Sequence, residues 1–224
     1  MATLIFAAAS LGHLSFAFCQ ESQSPSLESA SSAKDSTTST DPTAHWQPLQ
    51  GSWKPCSFGG DGTVEMSDSL ISLGIGDPLT GVRWIGDLHR QNYELSLQGR
   101  RTEGFDFFCA VTFPVGEETC SLVCGGWGGG VLGLSSIDGS DASSNETTQF
   151  KEFQNGQWYE IRIRVTDKRI QCWIDGDDWV DVERGDHEFD IRIEMDPALP
   201  LGIANYQCAS EFRNLRYRQL ESEP

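Results

Sequence analysis

Apolar residues recur at every second position along this chain, in short runs, and never with a helical spacing of three or four. YELSLQ follows Asn92 and FDFFCAVTF begins at Phe105. CSLVCGGW, VLGLSS, WYEIRIRV, RIQCWI, WVDV, FDIRIEM, LGIANY and FRNLRYR come after them, bounded by Gly, Asp, Asn and Pro. A period of two marks a strand with one face on a core, and the bounding residues are turn formers. About a dozen strands with no helices predict an all-β domain, either a sandwich or a closed barrel.

One segment predicts its own register. In WYEIRIRVTDKRIQCWIDG, Tyr159, Ile161, Ile163 and Val165 alternate with Glu160, Arg162 and Arg164. Ile170, Cys172 and Ile174 alternate with Gln171 and Trp173. A two-residue turn at Asp167-Lys168 pairs Ile163 with Cys172 and Ile161 with Ile174, so that one face is wholly apolar. Continuing through a three-residue loop at Gly176-Asp177-Asp178 pairs Ile174 with Val180 and Cys172 with Val182. The opposite, polar face then carries Arg162 beside Trp173.

The order of the pieces adds to this picture. HWQPLQGSWK, DGTVEMSDSLISLG, QNYELSLQGR, the hairpin above and LGIANYQCASEFRNLRYRQL together resemble the 3-keto-disaccharide hydrolase-like domain family. The resemblance spans residues 46–220 and implies a concanavalin A-like jelly-roll β-sandwich over 46–224, with similar hairpins in laminin-G-like lectin domains. It also implies glycoside chemistry. The family's closing pattern carries a histidine that Leu201–Cys208 lacks, which favours carbohydrate binding without catalysis.

Charge narrows the partners. The chain holds 33 acidic residues against 16 Lys and Arg, a formal net charge of -17. Such a surface repels nucleic-acid phosphates and anionic membranes. Residues 1–19 contain no charged side chain and have the length of a signal-peptide core, with Ala17 and Cys19 placed for cleavage before Gln20. Export is therefore expected, to the periplasm, cell surface or medium. Residues 20–45 are rich in Ser and Thr and predict a disordered tether. No second apolar stretch is long enough to span a bilayer.

Candidate chemistry is sparse. The four histidines show no metal spacing, and there is no nucleophile elbow or phosphate loop. Glu188, Asp190 and Glu194 in HEFDIRIEM would share one strand face, as glycosidase carboxylates do. Plain alternation, with Phe189, Ile191, Ile193 and Met195 in the core, accounts for them equally. The Gly-rich run around Trp127 lets backbone pass close to a sheet or ligand. The loop after it offers oxygen ligands for Ca²⁺ from Asp138, Asp141, Asn145 and Glu146, although solvated polar loops look the same. Apart from that ion no cofactor is implied. Asn145-Glu146-Thr147 also fits a glycosylation sequon.

For a glycan, Trp173, Trp127 and Trp179 are candidate stacking aromatics, while Arg162, Glu160, Asp175, Asp138 and Asp141 are candidate hydroxyl partners. Alternatively, Trp173 packs beneath Arg162 as a cation–π pair. Cys172 reads as a buried free thiol. If a disulfide forms, a hairpin turning near Gly116 brings Cys109 to Cys120 or Cys124, and Cys56 with Cys208 is the next choice. These features predict an exported, non-catalytic carbohydrate-binding domain. A glycoside hydrolase or lyase and a structural envelope domain remain as alternatives.

Overall fold

The hairpin whose register was legible forms as expected: Ile163 faces Cys172, Ile161 faces Ile174 and Arg162 faces Trp173. The computed structural model describes residues 45–49 and 51–221. The expected leader over 1–19 and all of the expected tether except His45 lie outside the described residues.

In chain order the strands are β1 (Gln47–Pro48), β2 (Ser52–Pro55), β3 (Val64–Met66), β4 (Ile71–Leu73), β5 (Leu79–Ile85), β6 (Tyr93–Glu103), β7 (Cys109–Val115) and β8 (Glu118–Gly125). They continue as β9 (Val131–Ser135), β10 (Gln149–Phe150), β11 (Tyr159–Val165), β12 (Arg169–Ile174), β13 (Asp177–Glu183), β14 (Gly202–Tyr206) and β15 (Ala209–Gln219). The first sheet runs β13-β12-β11-β6-β15-β4-β3, with β1 also on β15. The second runs β10-β9-β8-β7-β14-β5-β2. Every pairing is antiparallel, and the two sheets form a sandwich of the jelly-roll type. No helix among the described residues is long and apolar enough to cross a membrane.

The inward positions of both sheets make the core. Tyr93, Leu95 and Leu97 of β6 meet Ile161 and Ile163 of β11, Val111 and Phe113 of β7, and Leu122 of β8. Burying each such side chain contributes about 1.5–3 kcal/mol. All six described cysteines are buried and free. The expected disulfide is therefore corrected. Cys109 and Cys124 are direct cross-strand partners, as the hairpin predicted, but they point inward as thiols. Cys120 lies opposite Phe113, and burial pushes its thiol up to about 12. Cys208 donates its thiol to the carbonyl of Phe107 at 3.0 Å, so it is not joined to Cys56. Cys172 is fully buried, as expected.

Two further expectations are corrected. Asp175 and Gly176 both have positive φ and close β12 and β13 with a two-residue turn. A bulge then shifts the register, so Cys172 faces Val180 and Ile170 faces Val182. Trp179 is the extra residue of that bulge, and the valines still point inward. FDIRIEM is not a strand. Phe189 makes a single bridge to Ile137, and a 3-10 helix then covers Ile193–Ala198. Phe189, Ile191 and Met195 are buried, but Ile193 is 78% exposed. Pro197 has no N–H to give a ladder, and the tighter spacing buries Met195 and Ala198 instead. Glu188, Asp190 and Glu194 therefore do not share a strand face.

Candidate functional site

On the outer face of the second sheet most outward residues are small. The inward partners in β7, β8 and β9 include Val111, Phe113, Leu122, Leu132 and Leu134; the alternating outward positions include Ala110, Thr112, Ser121, Gly133 and Ser135, with Val123 and Val131 the larger exceptions. Small outward residues leave a trough instead of a flat face. Loops and the 3-10 helix wall it into a hollow of about 370 Å³. That volume lies at the lower end of the range for small-ligand sites.

Three aromatics line the hollow. Phe107 and Tyr206 lie together, with ring centroids 5.5 Å apart. Trp127 is 46% exposed and stands at the rim on the turn between β8 and β9. Its φ is 49°, a left-handed conformation rare for a bulky residue. The glycines around it make the turn fit: a Cβ on Gly129 would sit 2.4 Å from the Phe105 carbonyl oxygen. Asp106 clamps the turn from below. Its carboxylate accepts the N–H of Gly128 at 3.0 Å and that of Phe107 at 2.7 Å. The ring of Trp127 is thus held in place by backbone without being packed into the core.

A polar chain closes the opposite rim. Ser135 donates to Asp141 at 3.3 Å, Arg192 donates to Asp141 at 2.7 Å, and the other end of Arg192 meets Glu194 at 3.2 Å. Glu194 is held below the usual carboxylate range, first by its own backbone N–H and then by Arg192. A general acid needs the opposite displacement. Flat aromatic rings with planar hydrogen-bonding groups at the edge suit a ligand that is apolar on its faces and hydroxylated around them.

Of the residues named from sequence, Trp127, Glu194 and Met195 line the hollow, and Asp141 stands behind its rim, holding Ser135 and Arg192. It also takes in Asp106, Phe107, Arg192 and Tyr206, which no sequence pattern singled out. The alternation in FDFF, which sends Phe108 inward and Phe107 outward, was the available signal.

The other loop residues are engaged with one another. Asp138 accepts from His187 Nδ1 at 2.7 Å, and Glu146 lies 3.1 Å from His187 Nε2. Asn145 donates to the carbonyls of Leu134, Ser140 and Asp141 and accepts from the N–H and hydroxyl of Thr147. Asp138, Asp141, Asn145 and Glu146 thus face different partners, and no group of three or more metal-ligating side chains assembles among the described residues.

The outer face of the first sheet differs from expectation at Trp173. The residue points outward as predicted but is only 8% exposed, because the guanidinium of Arg162 lies 3.8 Å from its ring centre and that of Arg164 5.3 Å. Of the two readings of Trp173, the cation–π pair beneath Arg162 is the one that forms, and the open stacking platform is corrected to a covered ring. Glu160 accepts from Ser96 at 3.3 Å and from Arg216 at 3.0 Å. Asp175 accepts the Glu160 N–H at 2.8 Å, and Trp179 lies under Lys151 at 4.8 Å.

Residues 81–218 match the model of the 3-keto-alpha-glucoside-1,2-lyase-like domain. No curated protein matches the chain in sequence. Among solved structures, the carbohydrate-binding module CBM66 from Bacillus subtilis is similar, with a TM-score of 0.50 at 8% identity, covering 77% of this chain and 99% of that one. An endo-acting O-glycanase of the human gut microbiota gives 0.51 at 14% identity, covering 78% and 94%. The apo Crh5 transglycosylase gives 0.51 at 8% identity, covering 80% and 85%. At these identities the likeness is one of fold.

Proposed function

Because the chain belongs to the 3-keto-alpha-glucoside-1,2-lyase-like domain family, we propose that it is an exported carbohydrate-binding domain whose site is the hollow on the second sheet. The observation that carries this reading is Trp127. Its exposed ring is held in a left-handed backbone conformation above a floor of small residues. Strain of this kind persists where the surroundings enforce it, and it clusters at ligand sites. Arg192, Asp141 and Glu194 would take the hydroxyls, and Phe107 and Tyr206 the ring faces. In this reading residues 1–19 direct export and 20–45 tether the domain. The Asp138–Glu146 loop braces the hollow.

Binding to a panel of neutral oligosaccharides tests the site. Trp127→Ala is expected to weaken glycan affinity by about 1–3 kcal/mol, as truncation of a stacking aromatic does, and to leave the fold intact. A folded variant with unchanged affinity would remove the hollow from consideration.

Family membership favours a second reading, in which the hollow processes a glycoside. The segment Leu201–Cys208, where the family pattern leads one to look for histidine, contributes Tyr206 to the hollow and holds none. Turnover of 3-keto-disaccharides, lost on Glu194→Gln or Tyr206→Phe, would establish that reading. Binding without turnover favours the first.

A further inference from the structure

On a chain with a formal net charge of -17, the middle of the first sheet's outer face is basic. The outward positions of β11, β6 and β15 carry Arg100, Arg162, Arg164, Arg213, Arg216 and Arg218. Four carboxylates, Glu94, Glu103, Glu160 and Glu211, stand against these six on the three strands. At the edge strand the balance reverses, since Arg169 is held by both Asp181 and Glu183. The positive surplus is thus a band about 10 Å wide, the width of three strands.

The arginines are mounted rigidly. Arg162 lies 3.8 Å from the Trp173 ring centre, Arg213 lies 4.0 Å from that of Trp158, and Arg216 lies 4.9 Å from that of Trp46. Glu94 is wholly buried and takes the Nε of Arg164 and of Arg218, each at 2.6 Å. Arg162 stays 3.8 Å from that carboxylate and is held below its ordinary range, mainly by burial. Arg213 spends its Nε on Gln98, and among the described residues no ion pair to a carboxylate holds its forked end. Glu94 bonds Arg164 and Arg218 closely, and Arg162, at 3.8 Å, is the guanidinium it holds least closely. A stacked guanidinium is pre-organised for bidentate contact with a planar anion.

Beside the band, between the sheet and the N-terminal strands, lies a cleft of about 960 Å³. Trp46, Glu160 and Arg216 form part of its wall, so the band runs into it. Trp84 also lines it. That residue is 2% exposed, and its indole N–H has no hydrogen-bond partner. A buried donor without an acceptor is costly, and an acceptor on a ligand would relieve it.

We propose that this face is a second binding site, separate from the hollow, for a carboxylate-bearing polysaccharide such as a polyuronate. The arginine forks take the carboxylates, while Trp46 and the cleft take the sugar ring. Trp46 and the cleft beside the arginine forks favour a polymer that carries a sugar ring next to each anionic group over a plain polyphosphate chain.

Affinity electrophoresis of the full chain in polygalacturonate and in neutral dextran tests the proposal. Retardation by polygalacturonate alone, weakening as salt rises, is expected. Arg213→Gln and Arg162→Gln should each weaken it about tenfold, with unchanged melting confirming that Arg213→Gln is folded. No retardation, equal retardation in dextran, equal retardation by poly(dT), or indifference to both substitutions overturns the assignment. Neutral-glycan binding is read separately. A chain that binds polygalacturonate but no neutral glycan keeps this proposal and sinks the hollow, and the converse sinks this one.

Discussion

The two outer faces of this sandwich solve the same problem in opposite ways. Each sheet turns its apolar residues inward and must do something with the side that is left. The first sheet covers itself with long side chains, arginines lying on indoles around a buried glutamate. The second keeps its outward positions small and lets loops and a 3-10 helix wall them in. On the first face the buried Glu94 network is a structural member. On the second the polar groups are a rim around a space. Loss of that network should therefore be felt in stability, and substitutions around the hollow in binding.

The sharpest way to break that contrast is Glu94→Gln. Arg164, with a side chain only 15% exposed, depends on this carboxylate, and Arg218 also bonds it. Removing one member of a buried charge network leaves the others uncompensated, at a cost of about 3–5 kcal/mol. Urea unfolding should show that loss. On the other face, Ser121→Ala removes one hydroxyl pair with Thr112 at 2.8 Å and should cost about 1 kcal/mol. Comparable losses at the two positions would mean that the faces do not divide in this way.

A pair of tryptophans extends the test. Trp173→Ala empties a covered site and removes a cation–π contact, so a loss of about 2–3 kcal/mol in unfolding free energy is expected. Trp127→Ala should stay within about 1 kcal/mol, because its ring supports no core. Trp127→Gly should be neutral or slightly stabilising, since glycine relieves the positive φ. If Trp127→Gly destabilises strongly, the ring is structural and the hollow loses its main support.

How far the sequence carried differs between the faces for a physical reason. Alternation tells which side of a strand a residue occupies, and it placed Arg162 beside Trp173 correctly. It also allowed Trp173 to pack beneath Arg162, which is what forms; what it did not give is the second guanidinium, Arg164, 5.3 Å from the same ring. The bulge at Trp179 was invisible, since one extra residue leaves the apolar pattern on both sides of it intact. FDIRIEM read as a strand because three of its four apolar positions are buried in the 3-10 path as well; only Ile193 distinguishes the two. The hollow was half legible. Glycine density pointed to Trp127, and loop chemistry to Asp141. Phe107, Arg192 and Tyr206 arrive from three distant segments, and no local pattern brings them together.

Asn145 gives a smaller effect at the edge of the hollow. Its side chain satisfies three carbonyls and the N–H and hydroxyl of Thr147. Asn145→Ala should cost about 1–3 kcal/mol by orphaning these groups. It should lower glycan affinity through displacement of Asp141. Added calcium should shift neither the melting temperature nor this affinity, and a clear shift would restore the loop as a cation site.

The smallest expected effect is a pH dependence of the clasp beside the hollow. His187 is raised above its usual range, chiefly by its hydrogen bond to Asp138, then by the charges of Asp138, Glu146 and Asp186. Asp138 is lowered, chiefly by the Glu188 N–H and then by His187. A raised histidine contributes stability that is fully present below its unfolded value of about 6.5 and is lost as pH rises through its folded value. A lowered aspartate contributes stability that is present above about 3.8 and is lost as pH falls through its folded value. The clasp is therefore strongest between these limits and loosens on the alkaline side. The loop it anchors leads directly to Asp141, which aims Arg192 at the rim. Glycan affinity at the hollow should fall modestly as His187 deprotonates. Proton NMR of His187 should give a midpoint above 6.5 that drops in Asp138→Asn, and the same substitution should flatten the alkaline fall in affinity. A midpoint at or below 6.5 in the unaltered chain would mean that the clasp does not form, and that the Asp141 carboxylate is positioned by Arg192 and Ser135 without it.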